Sequence, residues 1–106
     1  MVWMILFLAG MFEIAFAVGL KYTDGFTKLW PSVFTTISMI ISVVLLSMAL
    51  RNMPIGIGYS VWTGIGTIGT VVFGIVFFSE PANMLRIIFI VMIIVGIVGL
   101  KFAAGD

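Results

Sequence analysis

The chain has 106 residues, 63% of them hydrophobic, and its mean hydropathy is +1.38. Five basic and four acidic residues give a net charge of +1, which excludes the basic surface of a nucleic-acid-binding protein. Cysteine and histidine are absent, which excludes disulfides, thiol chemistry and the commonest metal ligands, and we expect no cofactor. Because a soluble domain has no use for so much apolar surface, the composition indicates a small membrane protein embedded in the lipid bilayer.

Four apolar stretches are each long enough to cross a hydrocarbon core, which takes about 20 helical residues. They are predicted as helices over residues 3–20, 31–50, 55–78 and 85–102, within a single domain that covers residues 1–106. The links between them are so short that neighbouring helices must run antiparallel. Pro31 is expected at the first helical position of the second stretch. No segment alternates apolar and polar residues, so an all-α membrane protein is predicted rather than a β-barrel.

The first predicted helix, MILFLAGMFEIAFAVGL, carries Glu13 at its middle, whereas the other charged residues lie in turns or near span ends. An acid at this depth costs about 2.5–3.5 kcal/mol on insertion scales and marks a functional site by default. The alternative is a protonated, structural glutamic acid bonded to a neighbouring helix. Residues three and four positions away share its face. These are Ala9, Gly10, Phe16 and Ala17, and their mostly small side chains leave room for a helix or a guest.

The second and third helices offer polar and aromatic partners for such a site. Ser42 is the deepest hydroxyl of the second helix, although a bond to its own preceding turn is the commonest fate of such a group. Trp62 and Tyr59 lie at mid-membrane, away from the usual interface position of these residues. They can form an aromatic wall for a cation or donate hydrogen bonds to a carboxylate, with simple packing as the alternative. The glycine pair Gly64 and Gly66 predicts a helix hinge or, alternatively, close packing.

The fourth helix has no titratable group in its interior, and Gly96 and Gly99 share one face of it. Small residues on one face are typical of helix association in membranes, so this helix is predicted to pack or to dimerise. Four short helices can hardly enclose a pathway alone, and the size of the chain therefore favours an oligomer.

The basic residues are divided almost evenly between the two sides of the membrane. One side carries Arg51 and Lys101, and the other carries Lys21, Lys28 and Arg86. The positive-inside rule therefore gives little preference for one orientation. Insertion in both orientations and insertion in one weakly preferred orientation both remain open.

A carboxyl group in apolar surroundings can hold a proton and yield it to an arriving cation. Proton and cation would then occupy Glu13 in turn, which is sufficient for exchange if the site opens to either side. No nucleophile–base pair or metal cluster accompanies this residue in the sequence. A transporter is therefore predicted rather than an enzyme.

The segments EIAFAVGLKYTDGFTKLWPS and PIGIGYSVWTGIGTIG resemble the small multidrug resistance family over nearly the whole chain. WTGIGTIG and GIVGLK are similar to its guanidinium-exporter subtype. The resemblance implies a four-helix protomer that forms an antiparallel, dual-topology dimer in a bacterial or archaeal plasma membrane. It also implies exchange of protons for a small cationic substrate.

The resemblance assigns roles to individual residues. Glu13 would bind substrate and proton alternately, Ser42 and Trp62 would orient the carboxylates, and Tyr59 would line the site and gate access. Gly10 also fits the guanidinium pattern. At Phe16, guanidinium exporters usually have a tryptophan, so this chain keeps an aromatic face and loses a donor. Since some members pair two similar subunits, a homodimer and a heterodimer with a sister subunit both remain open.

The predicted function is proton-coupled export of guanidinium, together with small substituted guanidinium compounds for which Phe16 and the glycines leave room. Guanidinium is planar and offers N–H donors that suit a carboxylate, whereas a quaternary ammonium relies on aromatic faces. The hydroxyl groups near Glu13 favour the former. One alternative is a proton-coupled multidrug exporter of quaternary ammonium and aromatic cations, and another is a membrane subunit that does not transport.

Overall fold

A computed structural model describes residues 1–103, which form four long helices. The helices are α1 (Val2–Tyr22), α2 (Leu29–Ala49), α3 (Ile55–Phe77) and α4 (Met84–Ala103), and a short 3₁₀ turn, Leu50–Asn52, follows α2. They contain 20–23 residues, so each is about 30 Å long and matches the apolar thickness of a bilayer. All four are long and apolar enough to cross a membrane. The all-α, four-span fold class predicted from the sequence is confirmed.

The helix ends differ from the predicted ones by at most two residues, and the difference at Pro31 has a clear cause. α2 begins at Leu29, so the proline is the third helical residue and the prediction of the first position was wrong. The N–H groups of the first turn have no partner inside a helix, so a proline in this turn removes no hydrogen bond. α1 continues to Tyr22, where the Thr23 hydroxyl donates to the Leu20 carbonyl at 2.8 Å.

The helices form a thin array, 17 Å across its smallest dimension, with α1 between α2 and α3. Its buried apolar residues come from these three helices: Leu6, Ala9, Leu46, Ala49 and Val61. Glycines let α1 and α3 approach closely. A Cβ added at Gly10 would lie 2.5 Å from Ile65, and one added at Gly69 would overlap Ile14. Small side chains thus bring together the two helices that carry most of the predicted site.

The fourth helix packs chiefly against α3 and has no buried residue within its described range. Ile97 fills the space beside Gly64 of α3, where an added Cβ would lie 2.6 Å away. By contrast, nothing lies within 4 Å of a Cβ added at Gly96 or Gly99. The small face of α4 is therefore left open in the protomer.

The loop between α3 and α4 neutralises two charges near one end of the helices. The Arg86 guanidinium contacts the Glu80 carboxylate at 3.1 Å and donates to the Pro81 carbonyl at 2.7 Å. The Asn83 side chain accepts the backbone N–H of Arg86 at 2.9 Å and caps the first turn of α4. Glu80 and Arg86 thus neutralise each other in the loop, whereas Glu13 lies at the middle of a membrane-spanning helix.

Candidate proton and cation site

Glu13 lies at the middle of α1, directly against Gly66 of α3. A Cβ added at that glycine would overlap Cγ of the glutamate side chain. Among residues 1–103 the carboxyl group makes no hydrogen bond, and the ion pair of this part of the chain joins Arg86 and Glu80 in the loop. The structural alternative, a glutamic acid tied to a neighbouring helix, therefore has no partner within the described protomer.

The carboxyl group forms part of the wall of an open cavity of about 380 Å³ between α1 and α3. The wall consists of Glu13, Phe16, Ala17, Gly66, Thr67, Thr70 and Val71. The volume of the cavity falls within the roughly 300–1,000 Å³ typical of small-ligand sites. The wall contains one acidic side chain, one aromatic ring and two threonines, which is a combination suited to a small organic cation.

Ser42 and Trp62 tie three helices together beside this cavity. The Ser42 hydroxyl donates to the Ala9 carbonyl at 2.6 Å, and the Trp62 indole donates to the same hydroxyl at 2.9 Å. In an α-helix the carbonyl of residue 9 also accepts the N–H of residue 13. The two side chains therefore fix the turn of α1 that carries Glu13. Neither of them bonds the Glu13 carboxyl group within the described protomer, so their role toward carboxylates stays a prediction.

Tyr59 lies next to this link and away from the Glu13 cavity. Its ring centroid is 5.4 Å from that of Trp62, and 54% of the residue is exposed. The predicted residues thus form two groups. Glu13, Phe16 and Gly66 meet at the cavity, while Ser42, Trp62 and Tyr59 meet beside the preceding turn of α1.

The glycine pair of α3 serves two different contacts. Gly66 faces Glu13, and Gly64 faces Ile97 of α4. α3 runs as one helix through both positions. Both glycines are used for close approach, and the predicted hinge remains a prediction.

The sequence analysis missed two threonines and a valine in the cavity wall, Thr67, Thr70 and Val71. A signal for one of them was available. Thr70 follows Trp62 by eight residues and Gly66 by four, so it lies on the same face of α3 as both of them. A search of that face beyond the glycines would have found it.

Residues 1–93 match the family profile described as Small Multidrug Resistance protein. The chain belongs to the small multidrug resistance family. The resemblance of the sequence to this family is thereby confirmed.

Three bacterial relatives in the small multidrug resistance family are each named "Guanidinium exporter". The protein of Proteus vulgaris is 53% identical over 104 residues, which cover 98% of this chain and 100% of that protein. The protein of Escherichia coli K12 is 48% identical over 103 residues, which cover 97% of this chain and 98% of that protein. The protein of Yersinia pseudotuberculosis is 47% identical over 104 residues, which cover 98% of this chain and 100% of that protein. The names describe transporters, and the four apolar helices together with the bacterial relatives make this small multidrug resistance protein a multi-pass protein of the plasma membrane.

Proposed function

We propose that this protein is a proton-coupled antiporter that exports guanidinium. The observation that carries the proposal is the Glu13 carboxyl group, which lacks a partner in the described protomer and faces a cavity between membrane-spanning helices. Placing an unpaired acid at this depth costs free energy of membrane insertion, so such residues usually serve a function such as the exchange of ions. Relatives that share about half of their residues with this chain, over nearly its full length, are named guanidinium exporters, which supports guanidinium as the exported cation.

The exchange depends on one carboxyl group that serves two ligands. Protonated Glu13 is neutral and does not attract a cation, whereas ionised Glu13 pairs with guanidinium through charge-assisted hydrogen bonds. Binding of either ligand therefore displaces the other. Transport of this kind breaks no covalent bond, and no group of three metal-ligating side chains occurs among residues 1–103. We propose transport without enzymatic catalysis and without a cofactor.

We also propose that two copies assemble in opposite orientations, each copy being one four-helix domain. Three features support this: the thin array of helices, the open face at Gly96 and Gly99, and the opening of the Glu13 cavity toward the outside of the protomer. In such a dimer Ser42 and Trp62 orient the carboxylates, Tyr59 gates access and the pair Gly64 and Gly66 acts as a hinge. A heterodimer with a sister subunit is the alternative, and the mass of the purified protein in detergent, expressed alone, distinguishes the two.

A second candidate function is export of quaternary ammonium and aromatic cations. The Phe16 ring in the wall and the 380 Å³ of space favour it. Such cations offer no N–H donor and bind through apolar and aromatic contacts. The two functions therefore differ in whether the transported cation donates hydrogen bonds to the site.

A substrate panel on the purified protein tests the proposal. We expect proteoliposomes with a proton gradient to move guanidinium against the proton flux, and tetrapropylammonium at least tenfold more slowly. Collapse of the gradient with a protonophore is the control and should remove the accumulation. Transport of tetrapropylammonium without guanidinium would reject the proposal in favour of the second candidate, and transport of neither would reject both.

A further inference from the structure

Thr70 has a hydroxyl oxygen that is buried and has no hydrogen-bond partner among the described residues. Buried polar groups in native proteins are nearly always hydrogen-bonded, because an unmade bond costs the full desolvation of the group. This oxygen belongs to a residue in the wall of the Glu13 cavity. In the described rotamer the oxygen itself is covered by protein, but a rotation about the Cα–Cβ bond exchanges it with the other groups on Cβ. Because the hydroxyl makes no hydrogen bond among the described residues, this rotation breaks none, and the hydroxyl is free to turn toward a ligand in the cavity.

A threonine one turn away shows what the hydroxyl of Thr70 would ordinarily do. Thr67 lies in the same wall, and its hydroxyl donates to the Thr63 carbonyl of its own helix at 2.8 Å. This back-bonding is the usual arrangement of threonine in a helix. The corresponding acceptor for Thr70 is the Gly66 carbonyl, and no such bond forms.

Another buried hydroxyl without a partner does not point to a ligand. The Thr35 oxygen packs directly against Gly19 where α1 meets α2, and the residue is outside the Glu13 cavity. Its surroundings are filled by protein. Thr70 differs because it combines an unused hydroxyl with a position in the wall of an open cavity.

Glu13 and Thr70 therefore lie at two different levels of the cavity wall. Gly66 marks the level of Glu13, and Thr70 lies one turn, about 5.4 Å, further along α3. α1 and α3 run in the same direction because α2 reverses between them, so Phe16 and Ala17 lie further along α1 in the same sense. The Phe16 side chain has no polar atom, and the Thr67 hydroxyl is bonded to its own helix. Of the two threonines in this wall, Thr70 is therefore the one whose hydroxyl makes no hydrogen bond among the described residues.

We propose that Thr70 is a specificity residue whose hydroxyl oxygen accepts a hydrogen bond from a guanidinium ion bound at Glu13. The inference rests on the proposed function. Guanidinium carries N–H groups on every edge of its plane. A carboxylate takes the donors of one edge and leaves donors of another edge for a second acceptor. A quaternary ammonium has no N–H group and gains nothing from this hydroxyl, so Thr70 selects for cations that donate hydrogen bonds.

The test compares binding of two cations to the full-length protein in detergent by isothermal titration calorimetry. Thr70→Val keeps the shape of the side chain and removes the hydroxyl, and we expect guanidinium to bind about tenfold more weakly. Tetrapropylammonium affinity should change less than twofold. Thr70→Ser should restore guanidinium binding. Thr35→Val is the matched control, because its buried hydroxyl also has no partner among the described residues but lies outside the Glu13 cavity, and it should leave both affinities unchanged.

The outcomes separate the inference from the proposed function. Failure of the unmodified protein to bind guanidinium would reject the proposed function and this inference together. Normal binding by the unmodified protein and an unchanged Thr70→Val variant would reject the role of Thr70 alone. An equal loss for both cations would reject it as well, since that pattern indicates a distorted cavity. If the valine variant does not fold, the ratio of the two affinities in Thr70→Ser and Thr70→Ala decides, with a selective loss expected only for alanine.

Discussion

Replacing Glu13 by glutamine is expected to abolish proton-driven guanidinium uptake, with a loss of at least a hundredfold. Glutamine has nearly the same shape, but it neither binds a proton nor carries the charge that pairs with a cation. The residue lies in a cavity wall without a partner in the described protomer, so the substitution removes no bond that holds the described fold together. Uptake of labelled guanidinium into proteoliposomes measures the effect.

The matched control is Glu80→Gln in the loop before α4. Glu80 is an acid of the same type, but it pairs with Arg86 at 3.1 Å near one end of the helices and its side chain is 41% exposed. Exposed ion pairs contribute little to stability, so we expect uptake within twofold of the unmodified protein. Glu13→Gln protein that retains more than a tenth of the uptake would remove the carboxylate from the mechanism.

Substituting Gly66 by alanine is expected to weaken guanidinium binding by at least tenfold. The added methyl group would overlap Cγ of Glu13 and lie 3.1 Å from its carboxyl carbon. Because Cγ is the near end of the side chain, the glutamate must rotate away or α1 must move from α3. Either response displaces the carboxyl group from its place in the cavity wall. Calorimetric titration with guanidinium measures the loss.

Gly56→Ala, near the start of the same helix, is the control for this substitution. Nothing lies within 4 Å of a Cβ added there. Alanine also favours the helical conformation more than glycine does, by roughly 1 kcal/mol. We expect unchanged affinity and equal or slightly higher thermal stability. A Gly66→Ala variant with the affinity of the unmodified protein would show that the contact with Glu13 is absent in the form that binds the cation.

The four spans could be predicted because a bilayer dictates both the length and the composition of a helix that crosses it. Glu13 stood out for the same reason, as a charge far from any turn. The prediction of small residues on the face of Glu13 relied on helical periodicity, and that periodicity holds within one helix without knowledge of its neighbours.

Contacts between helices were harder to predict, because they depend on how far one helix slides and turns against another. Ser42 could have bonded its own helix, and only the nearness of α1 places the Ala9 carbonyl within 2.6 Å. Thr67 and Thr70 are the same residue type three positions apart on α3. Nothing in the sequence tells which hydroxyl turns back to the helix and which remains unused, since the neighbouring helix decides it.

The most direct test of the mechanism is the number of protons released when guanidinium binds to the detergent-solubilised protein. Calorimetry at one pH in buffers of different ionisation enthalpy gives this number. Where Glu13 is protonated before binding, we expect proton release and an affinity that falls by up to tenfold for each unit of lower pH per proton displaced. Above the titration range the affinity should level off. Binding without proton release, at an affinity that stays constant through acid pH, would show that proton and cation do not compete for Glu13.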